Sequence, residues 1–302
     1  MTLPAYLTTL QETRSAQPLS RRIRRRLRSE SSNLRKAFGL VGWRRSSGPP
    51  VDVGATIRAS TAANETTPVV LCVWRRPERL EVTLTSLAAQ TRPVKLWVWN
   101  NNAALRAFVD TAVADTSDLD IEVVHSSRNI GGFGRFYIAR RLAREYPPVV
   151  FLDDDQVPAP DFIESLVSEF RPKTINGTWA FRFRSTRSYW DRVAASPGER
   201  VKFCGNGGMI CDSSIFLETG LFECPRRFWF VEDLWLSYYA DHIMGWRLYK
   251  SGARILKEPA DHGQFQTLGA TKDIMLRHLV RRGWDPLLLE SPDGPVTAER
   301  PG

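Results

Sequence analysis

Between residues 69 and 170 the chain alternates short apolar runs with segments of helical period, and few architectures accommodate that rhythm. Residues 69–73 (VVLCV) are apolar without interruption, 96–99 and 149–152 read as further strands of the same kind, and 121–125 (IEVVH) as a strand with polar members. Runs of this kind predict strands covered on both faces. Between them, residues 78–90, 103–114, 134–145 and 160–170 carry apolar side chains at helical spacing. Leu80, Leu84, Leu87 and Ala88 form one such stripe, and Ile138, Ala139 and Leu142 another. Strand followed by helix, several times over, predicts a parallel sheet wound on both faces: an α/β fold, doubly wound, whose ligands bind beyond the carboxyl ends of the strands. The chain has 302 residues, 42% of them hydrophobic, enough to bury a sizeable core.

The second half is less regular. Residues 174–183, 201–203 and 254–256 read as strands, 233–244 as a helix and 271–282 as a closing helix. Residues 286–302 hold four prolines and little apolar material, so they predict a loose tail.

The net charge of +9 looks like a nucleic-acid signal until it is located. Residues 1–50 contain 11 of the 42 Lys and Arg but only Glu12 and Glu30 of the 33 acids, leaving 31 of each sign elsewhere. The body is neutral, and a basic arm over residues 1–45 carries the excess. Leu19, Ile23, Leu27, Leu34 and Phe38 can share a helix face among its arginines. The segment 14–45 therefore reads either as an amphipathic helix on an anionic membrane surface or as a solvated arm. A neutral body argues against nucleic acid as the partner. Residues 46–66 are a Ser-, Gly- and Pro-rich linker. Four cysteines without a CxxC pair read as buried free thiols of a reducing compartment, and no run approaches the ~20 apolar residues of a membrane span. The expectation is a cytoplasmic protein, associated with the inner face of the plasma membrane if the arm binds lipid.

Phe151-Leu152-Asp153-Asp154-Asp155-Gln156 is the sharpest chemical feature. Three consecutive acids at the end of a buried strand repel one another and demand a cation. Mg²⁺ and Mn²⁺ favour such oxygen ligands. In extended backbone Asp153 and Asp155 share a side and Asp154 points away. A second acidic pair, Glu232-Asp233, is embedded among Phe228, Trp229, Phe230 and Trp235, a setting that favours a carboxylate acting as a base. Asp233 would also open the helix that follows. Cys204-Gly205-Asn206-Gly207-Gly208-Met209 is a small-residue turn. Trp229, Trp235 and Tyr238 are large aromatic side chains, for which the core is the commonest place.

Taken in order, these motifs resemble family-2-type glycosyltransferases of the GT-A fold over residues 67–285. The resemblance rests on Trp74-Arg75-Arg76-Pro77 after the first strand, Asn100-Asn101 after the second, Arg128-Asn129-Ile130-Gly131-Gly132-Phe133-Gly134 before the third helix, Asp153-Asp154-Asp155 as DxD, the following 158–162 segment, Glu232-Asp233 as ED, and His262. His262 matches a metal-ligand histidine of some members, including cell-wall galactofuranosyltransferases. Asn100 departs from the usual Asp and Arg75 from the usual Asn, and both bear on the nucleotide.

The resemblance implies an inverting transfer of sugar from a nucleotide-diphosphate donor, UDP-sugar favoured, to a saccharide or lipid-linked acceptor in cell-envelope polysaccharide or glycolipid synthesis. It implies Asp153, Asp155 and His262 as ligands of Mn²⁺ or Mg²⁺, and Asp233 as base with Glu232 beside it. It implies Arg76, Asn100, Asn129, Gly132 and Asp154 on the donor, and Gly207, Gly208, Trp229 and Trp235 on the acceptor. The rival readings are nucleotidyl transfer, opposed by the lack of a Gly-rich loop after the first strand, and a binding protein of this fold without activity.

Overall fold

A computed structural model describes residues 66–257 and 268–287. The basic arm, His262, and nearly all of the linker and tail lie outside the described residues. The parallel half runs β1 (Thr67–Val73), α1 (Leu80–Ala88), β2 (Val94–Asn100), α2 (Arg106–Ala114), β3 (Asp120–His125), α3 (Gly134–Leu142) and β4 (Pro148–Asp153). Then follow β5 (Val157–Pro158), α4 (Phe162–Glu169), β6 (Thr174–Gly177), β7 (Ala180–Phe183), β8 (Arg192–Ala194), β9 (Arg200–Val201), β10 (Phe203–Cys204) and β11 (Met209–Asp212). The chain continues through α5 (Glu232–Tyr238), β12 (Arg247–Lys250), β13 (Ile255–Lys257) and α6 (Gly269–Arg281).

One eight-stranded sheet, ordered β3-β2-β1-β4-β11-β6-β12-β9, forms the frame. β3, β2, β1 and β4 are parallel neighbours, β11 is antiparallel to both β4 and β6, and β12 runs parallel to β6. A doubly wound, mostly parallel sheet is therefore what the alternating pattern produces. Side-chain alternation along each strand divides the core in two. Val69, Leu71 and Val73 of β1 pack with Leu80, Leu84, Leu87, Phe162, Ile163 and Leu166 of α1 and α4. Val70, Trp97, Trp99 and Phe151 face the opposite way, onto Phe133, Phe136 and Ile138 around α3 and onto Leu234, Trp235, Met275 and Leu279 of α5 and α6. The strand order reverses between β1 and β4. At their carboxyl ends this leaves a crevice, the place where such sheets bind ligands.

The second half differs from its sequence reading in several places. The expected strand 174–183 is cut at residues 178–179 into β6 and β7, which join different sheets. Backbone bonds explain the cut: Thr178 N donates to Gly208 O (2.8 Å) and Gly205 N to Trp179 O (2.7 Å). The 201–203 run is divided at Lys202, whose Nζ leaves for Asp241 (2.7 Å). β11 and β12, each four residues long, carry too short a pattern to stand out. The helix expected over 233–244 is α5 followed by a π-helical turn over Tyr239–Ile243.

Candidate active site

The crevice between β1 and β4 collects the acidic triplet. Asp153 closes β4 opposite Cys72 of β1, and 154–155 turn away from the strand. Arg76, which follows β1, lies across the triplet: Nη2 donates to Asp154 Oδ1 (2.9 Å) and Nη1 to Asp155 Oδ2. Asp154 is only 5% exposed. Burial pushes its pKa up to about 7, with Asp155 and Asp153 adding to the rise and Arg76 opposing it. Burial and Asp153 likewise raise Asp155. Asp153 is the open member, its side chain 41% exposed, and its Oδ1 accepts from Arg135 Nη2 (3.0 Å).

Arg135 is the residue that unites the site. It sits on α3, almost wholly buried, with Asp153 on one side and Glu232 Oε1 3.9 Å from its Nε on the other. Carboxylates from stretches 79 residues apart thus share one guanidinium. Glu232 also accepts from Asn206 Nδ2 (2.9 Å), and burial pushes its pKa up to about 7 against the pull of Arg135. Cys72 lies beside the same arginine, its thiol raised to about 11 by burial.

Asp233 is held from the other side. Its Oδ2 is 3.3 Å from Lys272 Nζ of α6, and its Oδ1 accepts from Leu234 N (2.9 Å). Lys272 is buried and also donates to Tyr189 OH (3.2 Å). Burial is the largest influence and works against its charge, yet Asp233 and Tyr189 together outweigh it, so its pKa lies above the ordinary lysine range.

The loop 205–208 joins the two acidic stretches, and its glycines are required by proximity. A Cβ at Gly207 would stand 2.7 Å from Asp153 Oδ2, and one at Gly205 4.0 Å from Asp233 Oδ2. Gly208 has a φ of +77°, a left-handed conformation that favours glycine.

Several expected site residues have other partners. Asn100 is fully buried; its Oδ1 accepts from Asn102 N (2.9 Å) and its Nδ2 meets His125 Nδ1 (3.0 Å), while His125 Nε2 meets Asp110 (2.8 Å). That side chain braces the end of β2. Asn129 Oδ1 caps its own turn through Gly131 N (2.8 Å). Gly132, expected on the donor, instead faces Glu232: a Cβ there would fall 2.8 Å from Oε2 and closer still to Cδ and Oε1. Trp229 and Trp235, expected on the acceptor, are core side chains. Trp229 stacks on Phe133 and donates to Cys224 O (3.0 Å), and Trp235 donates to Leu221 O (2.7 Å). Their apolar surface is already covered, which corrects that expectation.

Arg135, Asn206 and Lys272 were not legible as site residues, although two left a signal. Arg135 shares a helix face with Ile138, Ala139 and Leu142, and Lys272 with Met275, Leu276 and Leu279. A cation within a core stripe needs a buried anion.

Among the described residues no group of three or more His, Cys, Asp or Glu side chains is arranged to hold a metal ion. The donor chemistry nevertheless fits one. Asp153 and Asp155 offer the hard carboxylate oxygens such an ion favours, and Arg135 and Arg76 meet one oxygen of each.

The sequence profile described as glycosyl transferase family 2 matches residues 69–220. No curated protein matches the chain. Among solved structures, the mannosyltransferase PcManGT from Pyrobaculum calidifontis, in complex with GDP-Man and Mn²⁺, superposes with a TM-score of 0.52 at 14% identity, covering 87% of this chain and 75% of its own. GalNAc-T7 with UDP, GalNAc and Mn²⁺ gives 0.50 at 17% identity, covering 62% of this chain and 41% of its own. Likenesses at this identity establish the GT-A fold. Among the described residues no helix is long and apolar enough to cross a membrane.

Proposed function

The chain belongs to glycosyl transferase family 2, and from that premise we propose an inverting single displacement with Asp233 as general base. The observation that carries the proposal is Arg135, which draws Asp153 and Glu232 to one guanidinium and so sets the acidic triplet and the acidic pair at one crevice.

The acceptor hydroxyl attacks the anomeric carbon of the donor, the bond from that carbon to the diphosphate oxygen breaks, and the nucleoside diphosphate leaves with the electron pair. The hydroxyl proton passes to Asp233. Lys272 fixes the Asp233 carboxyl in place, and Asn206 and Arg135 do the same for Glu232. Arg76 and Arg135 oppose the negative charge that builds on the diphosphate. A divalent ion, Mn²⁺ or Mg²⁺, held by Asp153 and Asp155 with His262 as a third ligand, would supply further neutralisation of the leaving group. The solved relatives carry different nucleotides, GDP-Man in one and UDP in the other, so the fold admits both. A UDP-sugar is the first donor to test, a saccharide or lipid-linked acceptor of the cell envelope is the proposed partner, and residues 14–45 are the proposed contact with an anionic membrane.

The test is turnover of nucleotide sugars with Mn²⁺ by the wild type and by Asp233→Asn. The variant is expected to bind donor but to lose transfer by at least 10²-fold, in line with removal of a general base. Turnover within a few-fold of wild type overturns the assignment of the base. Release of pyrophosphate in place of nucleoside diphosphate identifies nucleotidyl transfer.

A further inference from the structure

Beside Asp233 an aromatic strip runs outward from the core: Tyr189 belongs to the core, Phe181 packs against it, and Trp179 and Trp190 reach the surface. Trp179 follows β6 and is 39% exposed. Its carbonyl is pinned by Gly205 N, and the point where a Gly205 Cβ would stand is 3.2 Å from Trp179 Cβ and 4.0 Å from Asp233 Oδ2. One missing methyl group therefore separates the root of this indole from the proposed base. Trp179 packs on Phe181 (centroids 6.1 Å apart), and Phe181 lies under the Arg192 guanidinium (4.0 Å). That guanidinium also covers Tyr189 (3.9 Å) and Trp190 (5.3 Å), the latter 45% exposed. Tyr189 returns the circuit to the base through Lys272.

Trp179 and Trp190 are part-exposed, whereas most tryptophans of this chain are buried; Trp190 packs on Tyr189 and Arg192. The place of Trp179 beside the base gives its exposure a use. An aromatic face pairs with the polarised C–H face of a pyranose, combining apolar contact with the ring quadrupole. A lipid alcohol or a serine hydroxyl has no such face to offer.

Resting on the transferase reading above, we propose that Trp179 is the acceptor platform, that the ring bearing the attacking hydroxyl stacks on it, and that Trp190 takes a neighbouring ring. The acceptor is then a saccharide of at least two sugars. Arg76 follows β1 and Trp179 follows β6, two strands beyond β4 in the sheet, so in this proposal the acceptor approaches from the β6 side while the diphosphate lies over β1 and β4.

The experiment uses the full chain with Mn²⁺ and the nucleotide sugar it turns over fastest. The acceptor probes are methyl glycosides, the matching methyl disaccharides, and octanol as an alcohol without a ring. Trp179→Ala is expected to raise the saccharide KM at least tenfold while the donor KM moves less than twofold, and Trp179→Phe to recover most of the loss. Trp190→Ala is expected to raise the KM of disaccharides and leave that of monosaccharides unchanged. Wild-type kcat/KM in Trp179→Ala, with its thermal unfolding unaltered, overturns the platform. So does octanol accepting as well as a disaccharide. A wild type that turns over no nucleotide sugar overturns the transferase reading, and the platform with it.

Discussion

Replacing Gly132 with Ala tests the meeting of the glycine turn with the acidic pair. The φ of Gly132 is not positive, so alanine meets no backbone strain there. The obstacle is Glu232, whose Oε2 would lie 2.8 Å from the new Cβ, with Cδ and Oε1 nearer. Oε1 must retreat by about 1.5 Å to reach ordinary contact, more than the ~1 Å at which misplacing a catalytic group costs on the order of 10²-fold in rate. It cannot move freely, because Asn206 and Arg135 hold it. Overpacking of this kind costs about 1–3 kcal/mol. In a Glu232→Ala background the obstacle is gone, and the smaller unfolded-state entropy of alanine leaves a gain of about 0.4–1 kcal/mol. The same substitution therefore changes sign between backgrounds. Urea unfolding of the four proteins in this cycle measures it, provided the slopes stay equal. A Gly132→Ala effect that agrees within about 0.5 kcal/mol in both backgrounds refutes the reasoning.

Three further outcomes are expected. The pKa of Glu232 is raised in the fold, so its contribution to stability is present in acid and is lost as the pH climbs from about 4.5 to about 7. Glu232→Gln, which carries no such proton, should gain in Tm relative to wild type between pH 5 and pH 8, and a flat or falling difference in thermal unfolding contradicts this. Lys272→Met leaves Asp233 without its cation, so kcat for transfer should fall on the order of tenfold or more while donor KM stays put, with arginine at 272 restoring part of the loss; steady-state kinetics that show equal kcat reject the positioning role. Asp155→Ala should weaken Mn²⁺-dependent donor binding in calorimetry, and unchanged affinity removes Asp155 from the metal proposal.

The parallel half was legible because β1, β2 and β4 are buried on both faces and the helices Leu80–Ala88 and Gly134–Leu142 carry clean stripes. The pattern of Val69–Val73 or Leu80–Leu87 has one physical reading. The acidic triplet was legible for a related reason: like charges at the end of a buried strand need a partner of opposite sign. The second half hid itself where pairing is set by distant partners. β11 is four residues long and owes its place to β4 and β6 on either side, and the break at Trp179 is made by a loop 26 residues onward. The tryptophans show the limit on side chains. Trp179, Trp229 and Trp235 look alike in sequence, and only packing reveals that the first is open while the other two are spent on Cys224 and Leu221.

β11 joins the two halves without a hinge. Met209 pairs with Phe151 of β4 on one edge and with Gly177 of β6 on the other, so the strand ends that deliver Asp153 and Trp179 belong to one continuous hydrogen-bonded surface. Opening and closing around substrates by rotation of rigid lobes would tear that surface. Motion during a reaction cycle is then left to the segments capping the strand ends. Grafting a new specificity onto this scaffold becomes a matter of exchanging those caps, with the woven frame that carries Asp153 and Trp179 left in place.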